Sequence, residues 1–498
     1  MNLFITASML YDYLEQCPHR VTLDLYGDQS NRDSESEFLR LLWEKGTLYE
    51  KEVIQNLNIP FTDLSIVPIE DRERLTMESM SRGDDLIYSG RICFKNLLGE
   101  PDLLRKEGGN YIAGDIKSGS GFEGISDLSD GRPKPHFAVQ LALYTDILEK
   151  LEISAGRSAF IWDIHGQEVL YNFDIPQGPR TPDTLWELYK QCLDSVENII
   201  QKKEATLPAY ASQCKQCHWY SSCLKYLIAQ DDLTLIPGLG RSKRDKMFNQ
   251  VRSVAELVES DISAMIRGNK TIFSGIGPGT LKKYKDRACL LKDTDGKPYL
   301  TQTIEIPDSD IELFFDIETD PMRDICYLHG FVERRDKDNN TEKYIPFFAE
   351  NPTPEEEKRV LTEAWEYVQS CQPCTIYYYS KYERTWWRNL QKKCPEVISE
   401  EEIEEMFHPS SAIDLYQDVI TKFTEWPTHD HSIKTLASYL GFKWRDTNPS
   451  GAESVVWYHR WIESGDPTIR QRILEYNEDD CIATRVLLDG LCGLHVQG

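Results

Sequence analysis

Two stretches of this sequence place charged side chains at alternate positions in strongly apolar, strand-like runs. The first is NYIAGDIKSG, which contains Asp115 and Lys117, and the second is IELFFDIETD, which contains Asp316 and Glu318. Because side chains alternate between the two faces of a strand, the charged residues of each run point to the same side. Burying an uncompensated charge is costly, so each run is a candidate functional site. Taken alone, the Asp115 and Lys117 pair is better explained as a surface pair at a strand end, and further residues are needed to predict a site there.

The chain of 498 residues is too long for one hydrophobic core, and its sequence pattern and composition differ among three segments. Residues 1–228 mix helical patterns with strand-like runs and end in a cysteine cluster, residues 229–300 contain two Gly-rich turns, and residues 305–498 alternate strands and helices. In the last segment, a helix is predicted to begin at Pro354 with Thr353 as its N-cap. We therefore predict a multi-domain α/β protein.

The net charge of −26 argues against a protein that coats nucleic acid with its whole surface, because phosphate binding depends on Lys and Arg. Residues 231–300 are locally basic, with thirteen Lys and Arg against nine Asp and Glu. The N-terminus lacks the pattern of a signal peptide, and no long apolar run is present. We expect a soluble, cytoplasmic protein without membrane association, whose thirteen cysteines are thiols or metal ligands.

Other residues could complete a metal site around Asp115 and Lys117. Asp102 follows a proline at the end of the preceding apolar run, and a later helical pattern places Gln140 and Tyr144 on one face. Carboxylates prefer hard divalent cations, so Asp102 and Asp115 would ligate Mg²⁺ or Mn²⁺. Lys117 would orient and polarise the attacking water or the phosphate.

The ordered motifs P-D, D-x-K and Q-x-x-x-Y resemble the PD-(D/E)XK nucleases of the RecB family. The resemblance implies a restriction-endonuclease-like core whose catalytic centre contains the five residues just named. Many RecB-type sites also carry a metal-binding His immediately before the glutamate of the first helix. Tyr49 occupies that position here. Either Glu50 is then the third metal ligand, or fewer protein groups hold the metal.

Cys214, Cys217 and Cys223 lie close together and could supply three of the four ligands that a zinc or iron-sulfur site needs. His218 could complete a zinc site, although adjacent residues seldom both turn onto one metal. Cys17, at the other end of the segment, is the other candidate. One N-terminal cysteine followed by C-x₂-C-x₅-C resembles the iron staple of RecB-type nucleases, which implies a [4Fe-4S] cluster that ties the two ends of the domain together.

Two Gly-x-Gly turns, LIPGLGRSK and FSGIGPGTLKK, each precede a helical pattern. Glycine lets a ligand approach the backbone closely, and the N–H groups at a helix start suit a phosphate. The pair resembles a helix-hairpin-helix DNA-binding module, which grips backbone phosphates without reading bases. A helical spacer between the flanking domains is the alternative. The resemblance assigns nucleic-acid binding to Gly238, Gly240, Arg241, Lys243, Gly275, Gly277, Lys282 and Lys283, with Arg244 and Lys246 as additional mobile charges.

A second set of motifs begins with Asp316 and Glu318 and ends with Tyr476 and Asp480, which are four positions apart on a helical pattern. The order D-x-E, S-[LI]-K-x-L and Y-x-x-x-D resembles the RNase H-like, DEDD-type 3′ to 5′ exonucleases. In that family, four carboxylates hold two metal ions and the tyrosine positions the water. The resemblance implies an RNase H-like α/β domain. Its catalytic centre would contain the three carboxylates Asp316, Glu318 and Asp480 together with Tyr476.

The fourth carboxylate of that family has two candidates in this chain. Glu383 follows the strand-like run YYY, and Asp414 is the weaker alternative. In this position the family carries an aspartate, and Glu383 departs from that pattern. The C-terminal domain is therefore either an active second nuclease or a retained fold that only holds substrate. Trp386 and Trp387 could stack single-stranded bases.

Over nearly its full length the chain resembles bacterial RecB-like nucleases, which implies a Mg/Mn-dependent nuclease acting on DNA. Single-stranded, exonucleolytic action in repair, recombination or defence is favoured, and RNA is a further possible substrate. The chain has no P-loop motif, so a helicase would act in trans. One alternative is a 3′ to 5′ exonuclease or RNase acting mainly through the C-terminal domain, and another is a nucleic-acid-binding scaffold with degenerate sites. The oligomeric state is left open.

Overall fold

The computed structural model describes residues 3–126, 129–178, 181–447 and 449–497. The chain divides into two compact units, Met1–Lys225 and Tyr226–Gly498. Both contain helices and mixed sheets, which confirms the predicted α/β class. No helix in the described ranges is both long and apolar enough to cross a membrane.

The first unit contains thirteen described strands and seven described helices. The strands are β1 (Ile5–Thr6), β2 (Thr62–Asp63), β3 (Leu86–Tyr88), β4 (Ile92–Phe94), β5 (Leu97–Gly99), β6 (Leu103–Glu107), β7 (Asn110–Ile116), β8 (Phe122–Ser126), β9 (Ser129–Pro133), β10 (Ser154–Trp162), β11 (Glu168–Asn172), β12 (Pro176–Gly178) and β13 (Thr181–Thr184). The helices are α1 (Ala7–Tyr11), α2 (Pro18–Tyr26), α3 (Glu37–Gln55), α4 (Ile69–Arg82), α5 (Pro135–Lys150), α6 (Leu185–Ile200) and α7 (Tyr220–Ala229), the last of which ends beyond Lys225.

A six-stranded sheet in the order β11-β10-β7-β6-β3-β2 forms the centre of this unit. Strand β7 is buried along almost its whole length, because it lies between β6 and β10 in the middle of the sheet. Helix α5 contacts β7 and β10, and its residues from Ala138 to Leu148 are buried except for Gln140. A helix that is apolar nearly all round belongs in a core, so α5 anchors the first unit.

The second unit contains nine described strands and ten described helices. The strands are β14 (Ile266–Arg267), β15 (Lys270–Thr271), β16 (Tyr299–Leu300), β17 (Ile311–Asp320), β18 (Ile325–Arg335), β19 (Asp338–Phe348), β20 (Thr375–Tyr378), β21 (Ala412–Asp414) and β22 (Thr424–Glu425). The helices are α8 (Arg241–Met247), α9 (Val254–Glu259), α10 (Pro278–Lys292), α11 (Pro354–Ser370), α12 (Tyr382–Lys393), α13 (Glu400–Met406), α14 (Thr421–Phe423), α15 (Ile433–Tyr439), α16 (Gly451–Ser464) and α17 (Pro467–Cys492).

The main sheet of this unit has the order β19-β18-β17-β20-β21. Strands β17, β18 and β19 are antiparallel neighbours, whereas β20 and β21 continue the sheet in parallel. Helix α11 begins at Pro354 with the Thr353 side chain as its N-cap, as predicted. The long helix α17 contacts β17 and β18 in the middle of the sheet.

Helices α8 to α10 form a small module with its own apolar core around Leu239, Met247 and Leu281. Strand β16 pairs with β22, and the buried Arg287 guanidinium holds the buried Glu425 carboxylate at 2.6 Å and 3.3 Å. The module is therefore attached to the main sheet domain within the second unit by a strand pair and a buried ion pair.

Candidate active sites

The first carboxylate pair lies on two neighbouring antiparallel strands. The register of β6 and β7 brings Asp102, just before β6, beside Asp115 of β7. The Asp102 carboxylate accepts a hydrogen bond of 2.8 Å from the N–H of Ile116. Lys117 Nζ lies 2.8 Å from Asp115 Oδ2, so the acid and the lysine share one face of the strand.

The charges of this pair are strongly coupled. Burial, followed by the Asp115 carboxylate, raises the pKa of Asp102 well above its ordinary value. Burial alone would lower the pKa of Lys117, but the carboxylates of Asp115 and Asp102 outweigh it and hold that pKa above its ordinary value. One ammonium therefore faces two carboxylates, and a divalent cation would supply the missing positive charge.

Helix α5 carries Gln140 and Tyr144, two of the other predicted residues of this centre. Tyr144 on α5 is buried, and burial together with the Asp115 and Asp102 charges raises its pKa well above the ordinary value. Gln140 lies one turn earlier on the same helix and is half-buried. The predicted i, i+4 pair therefore lies on the helix that covers the strands.

Glu50 does not join the compact ligand set that the sequence suggested. Its carboxylate accepts a 2.8 Å hydrogen bond from the Tyr88 hydroxyl. Among the described residues, Glu50 and the two aspartates are not a trio with all ligand atoms within 4.8 Å of one another. Tyr49, at the position where many RecB-type sites carry a histidine, donates a hydrogen bond from its hydroxyl to the Asp163 carbonyl at 2.6 Å and so has a structural role.

Four cysteine side chains line one cavity of the first unit. Cys17 lies there with Cys214, Cys217 and Cys223, although almost two hundred residues separate it from them in sequence. Burial raises the pKa of the Cys217 thiol, and the Cys214 and Cys17 sulfurs add to the rise. The fold thus collects a four-thiol donor set of the kind that holds zinc or an iron-sulfur cluster.

The geometry does not support a zinc site that includes His218. The His218 ring pairs with Asp24 at 2.7 Å and does not line the four-thiol cavity. Sulfur atoms around one zinc lie about 3.8 Å apart, as follows from a Zn–S bond of about 2.3 Å. In the described part of the chain, no three cysteine sulfurs lie within 4.8 Å of one another.

The two predicted glycine turns form as expected in the helical module. Gly238 and Gly275 have φ angles of +80° and +76°, in the left-handed region that favours glycine. Gly240 and Gly277 are the N-caps of α8 and α10. A Cβ atom added at either N-cap glycine would meet nothing within 4 Å, so a ligand can approach the backbone there.

The cations of the module are less available than the sequence suggested. Arg244 is fully buried and pairs with Asp232 at 2.8 Å, so the prediction that it supplies mobile charge is wrong. Lys243 Nζ donates to the Tyr284 hydroxyl at 2.6 Å, and Lys283 Nζ lies 3.5 Å from the Glu425 carboxylate. Lys246 and Lys282 are exposed, and Arg241 is half-exposed at the start of α8.

The second carboxylate site is a compact acidic group within the part of the chain that the structure describes. Ligand oxygens of Asp316 and Glu318 from β17 and of Asp480 from α17 all lie within 4.8 Å of one another. Asn477 donates to Asp316 Oδ2 and Trp444 donates to Asp480 Oδ1, each at 2.7 Å. Two of the three carboxylates are therefore held in place from outside the trio.

Crowding of three acids, of which Glu318 is buried and Asp316 and Asp480 are half-buried, raises their pKa values. Burial, followed by the Asp480 and Glu318 charges, raises the pKa of Asp316 well above its ordinary value. Burial, followed by Asp480, raises the pKa of Glu318 to about 8. Burial also raises the pKa of Asp480, against the opposing charge of Lys434. Without a cation, Glu318 therefore holds a proton at neutral pH.

Tyr476 of the Y-x-x-x-D motif lies beside the trio and is fixed by Lys434. Lys434 Nζ donates to the Tyr476 hydroxyl at 2.8 Å and to the Pro449 carbonyl at 2.6 Å. Its ammonium also lies 4.7 Å from the centroid of the Tyr476 ring. The lysine of the S-[LI]-K-x-L motif therefore orients the tyrosine and places a positive charge next to three carboxylates.

Glu383 is buried on α12 outside this compact trio. It is 4 % exposed, and its Oε2 atom has no hydrogen-bond partner. Burial, followed by the Asp414 and Asp480 charges, raises the pKa of Glu383 well above its ordinary value. Asp414 instead accepts hydrogen bonds from the N–H groups of Ser380 and Gln417, which makes it a cap of the turn after β21.

The neighbouring tryptophans belong to the core. Trp387 is fully buried and donates to His329 Nδ1 at 3.1 Å, and Trp386 is also buried. The suggestion that they stack single-stranded bases is therefore wrong, because their rings are enclosed by protein.

Sequence reasoning missed the polar residues that support the trio. Asn477 directly follows the tyrosine of the Y-x-x-x-D motif, and a Cβ added at Gly330 would lie 1.6 Å from its Oδ1. That glycine leaves room for the amide that binds Asp316. Trp444 lies in a loop outside the three motifs of this domain, so the sequence contained no local pattern that predicted its role.

Comparison with known families locates the second site within a recognisable domain. A family model described as RNase_H superfamily matches residues 313–492, a range that contains Asp316, Glu318 and Asp480. A search of the curated proteins finds no match for the chain.

Proposed function

We propose that this chain, whose residues 313–492 form an RNase H superfamily domain, is a metal-dependent nuclease that hydrolyses DNA, preferably single-stranded and from an end. The observation that carries the proposal is the compact trio of Asp316, Glu318 and Asp480. Ionised carboxylates this close repel one another, and a cation among them would relieve the repulsion. Oxygen ligands favour Mg²⁺ or Mn²⁺.

A divalent ion held by the trio would polarise the scissile phosphate and promote ionisation of the attacking water. The side chains around it supply orientation. Asn477 and Trp444 hydrogen-bond two of the carboxylates, and the Tyr476 hydroxyl would hold the water. The Lys434 ammonium would stabilise the negative charge that develops on the phosphate oxygens.

The first unit would provide a second hydrolytic centre of the PD-(D/E)XK type. Asp102 and Asp115 would bind the metal, and Lys117, 2.8 Å from Asp115, would orient the water or the phosphate. Gln140 and Tyr144 on α5 would line the bound substrate. This assignment rests on the paired aspartates and the lysine, which together resemble a nuclease centre.

The four-thiol cavity would hold a [4Fe-4S] cluster with Cys17, Cys214, Cys217 and Cys223 as ligands. The cluster would act as a clasp between the two ends of the first unit, more structural than catalytic. The glycine turns of the helical module would bind the phosphate backbone of DNA, with Lys282 as an exposed cation at the second turn.

Digestion of a single-stranded DNA oligomer by matched variants tests the nuclease assignment. Wild type, Asp316→Asn, Asp115→Asn and the double variant would be compared in Mn²⁺ and in EDTA, with thermal melting as the control for folding. We expect each single variant to lose one component of hydrolysis and the double variant to lose all of it. A single-stranded RNA oligomer in the same assay tests the RNase alternative.

Two results would contradict this assignment. If Asp316→Asn hydrolyses the oligomer as fast as the wild type, the C-terminal centre takes no part in hydrolysis. Absence of Mn²⁺-dependent hydrolysis in the wild type would favour the scaffold alternative, which the position of Glu383 outside the compact trio supports.

Anaerobic purification tests the cluster. The protein should be brown, and Cys17→Ser should lose both the visible absorbance and the stability of the first unit, whereas Cys93→Ser, a half-buried thiol outside the cavity, should keep both. A colourless protein that carries one zinc ion would refute the cluster.

A further inference from the structure

A second cavity of about 210 Å³ adjoins the four-thiol cavity of the first unit. Its lining comes from residues 20–43 and 215–221, and it shares Arg20, Cys217 and Tyr220 with the four-thiol cavity. Apart from the shared Cys217, its lining has no part in the metal chemistry proposed above.

The lining combines cations with aromatic rings. Arg32 and Lys215 supply positive charge, and Trp43 and Tyr220 supply rings. Arg20 also lines the cavity but is already paired with Asp12 at 3.4 Å and with Asp24 at 3.6 Å. The Trp43 side chain is 56 % exposed, although a large apolar indole would normally be buried. Single-stranded nucleic acid needs both features, because its bases stack on aromatic rings and its phosphates require cations.

Two carboxylates, Asp33 and Glu35, also line the cavity, and each already has a partner. Asp33 Oδ2 accepts a 2.9 Å hydrogen bond from the Ser221 N–H and so fixes the loop. Glu35 pairs with Arg32 at 3.2 Å, and both side chains of this pair are more than a third exposed. An exposed ion pair contributes little, so a phosphate can take the place of Glu35 beside Arg32.

Helix α3 connects this cavity to the first carboxylate centre. Leu39, Trp43, Gly46 and Glu50 have the spacing of one helical face. Leu39 and Trp43 line the cavity, Gly46 lies near the Ser118 hydroxyl, and Glu50 binds Tyr88 beside the aspartates. The seven steps from Trp43 to Glu50 span about 10.5 Å along the helix axis.

We propose that this cavity binds a nucleotide of single-stranded nucleic acid, with a base stacked on Trp43 and phosphates beside Arg32 and Lys215. The strand then follows α3 toward Asp102 and Asp115, so the cavity holds substrate for that centre. The inference rests on the nuclease function proposed for the first unit.

Binding of a fluorescein-labelled oligothymidine to the full chain in EDTA tests this site without hydrolysis. Trp43→Ala should weaken binding by roughly five- to a hundredfold, the range measured for loss of one stacked base. Trp43→Phe should restore most of the affinity. Leu48→Ala is the matched control, because Leu48 is 57 % exposed on the same helix but lies on another face. Its affinity should equal that of the wild type.

Salt dependence and crosslinking identify the contacts. Arg32→Ala should reduce the slope of log affinity against log salt by about 0.7, the value for one phosphate contact on a single strand. An oligomer carrying 5-iodouracil should crosslink to the peptide that contains Trp43. The crosslink separates this cavity from other nucleic-acid-binding surfaces of the chain.

The proposal is overturned if Trp43→Ala binds as tightly as Leu48→Ala and crosslinks map only outside residues 20–43 and 215–221. Failure of the nuclease assignment has a different signature. In that case Asp115→Asn leaves hydrolysis unchanged, while the dependence of binding on Trp43 persists.

Discussion

Removal of the divalent metal should make the stability of this protein depend on pH through Glu318. Burial and the Asp480 charge raise the pKa of Glu318 to about 8, whereas a glutamate in an unfolded chain titrates near about 4.3. Between these values, the metal-free folded protein holds a proton that the unfolded chain has lost. The folded state then binds more protons, so the free energy of unfolding falls as the pH rises.

The size of this effect follows from the shift. One proton changes the free energy of unfolding by about 1.4 kcal/mol per pH unit, so the loss from about pH 4.5 to 8 is on the order of 4 kcal/mol. Urea unfolding followed by circular dichroism in EDTA, at several pH values in this window, measures it. Saturating Mg²⁺ should flatten the dependence, because a bound cation keeps the carboxylate ionised in the folded state.

Glu318→Gln is the control, since the amide keeps the shape of the side chain and cannot titrate. In EDTA its free energy of unfolding should fall with pH by about 1.4 kcal/mol per unit less than that of the wild type. Equal slopes for the two proteins would refute the conclusion that crowding of the trio holds a proton on Glu318.

Three further substitutions test individual contacts. Gly330→Ala should lower both DNA hydrolysis and the free energy of unfolding, the latter by about 1–3 kcal/mol in urea titrations, because the new methyl group displaces Asn477. Arg287→Met should cost about 3–5 kcal/mol of stability by leaving Glu425 buried without its main partner. The double change of Arg287→Met with Glu425→Gln should recover most of this loss, and no recovery would argue against a burial penalty. Lys434→Met should lower kcat by roughly ten- to a hundredfold, as expected for loss of a charged hydrogen bond, with little change in melting temperature. An unchanged kcat would exclude a role for this lysine in hydrolysis.

Several local features could be predicted from the sequence because they depend on short-range geometry. Strand alternation places Lys117 beside Asp115, and the same rule places Asp316 and Glu318 together. The spacing of Tyr476 and Asp480 correctly predicts one face of a helix. Backbone periodicity fixes these relationships within a few residues, whatever the rest of the chain does.

Other parts of the sites depended on which elements pack together. The presence of a Lys or Arg in the sequence does not show whether its side chain is buried, as Arg244 is, or exposed, as Lys246 is. The difference arises from the position of Asp232 in the folded module. In the same way, Trp387 is enclosed by the core of the sheet domain, and Trp43 is left exposed at a cavity. Residue type gives the chemistry of a side chain, but burial decides whether a ligand can reach it.

The sequence by itself determined the α/β class, the strand-borne acid pairs and the glycine turns, because each is encoded by periodicity or by backbone conformation. Only the tertiary structure decided that Glu383 and Glu50 lie outside compact ligand sets, and it places Cys17 in one cavity with the distant cysteines, as the resemblance to the iron staple implied. Contacts between residues far apart in the chain depend on how whole helices and sheets pack. That packing minimises the free energy of the entire unit and leaves no short-range pattern in the sequence.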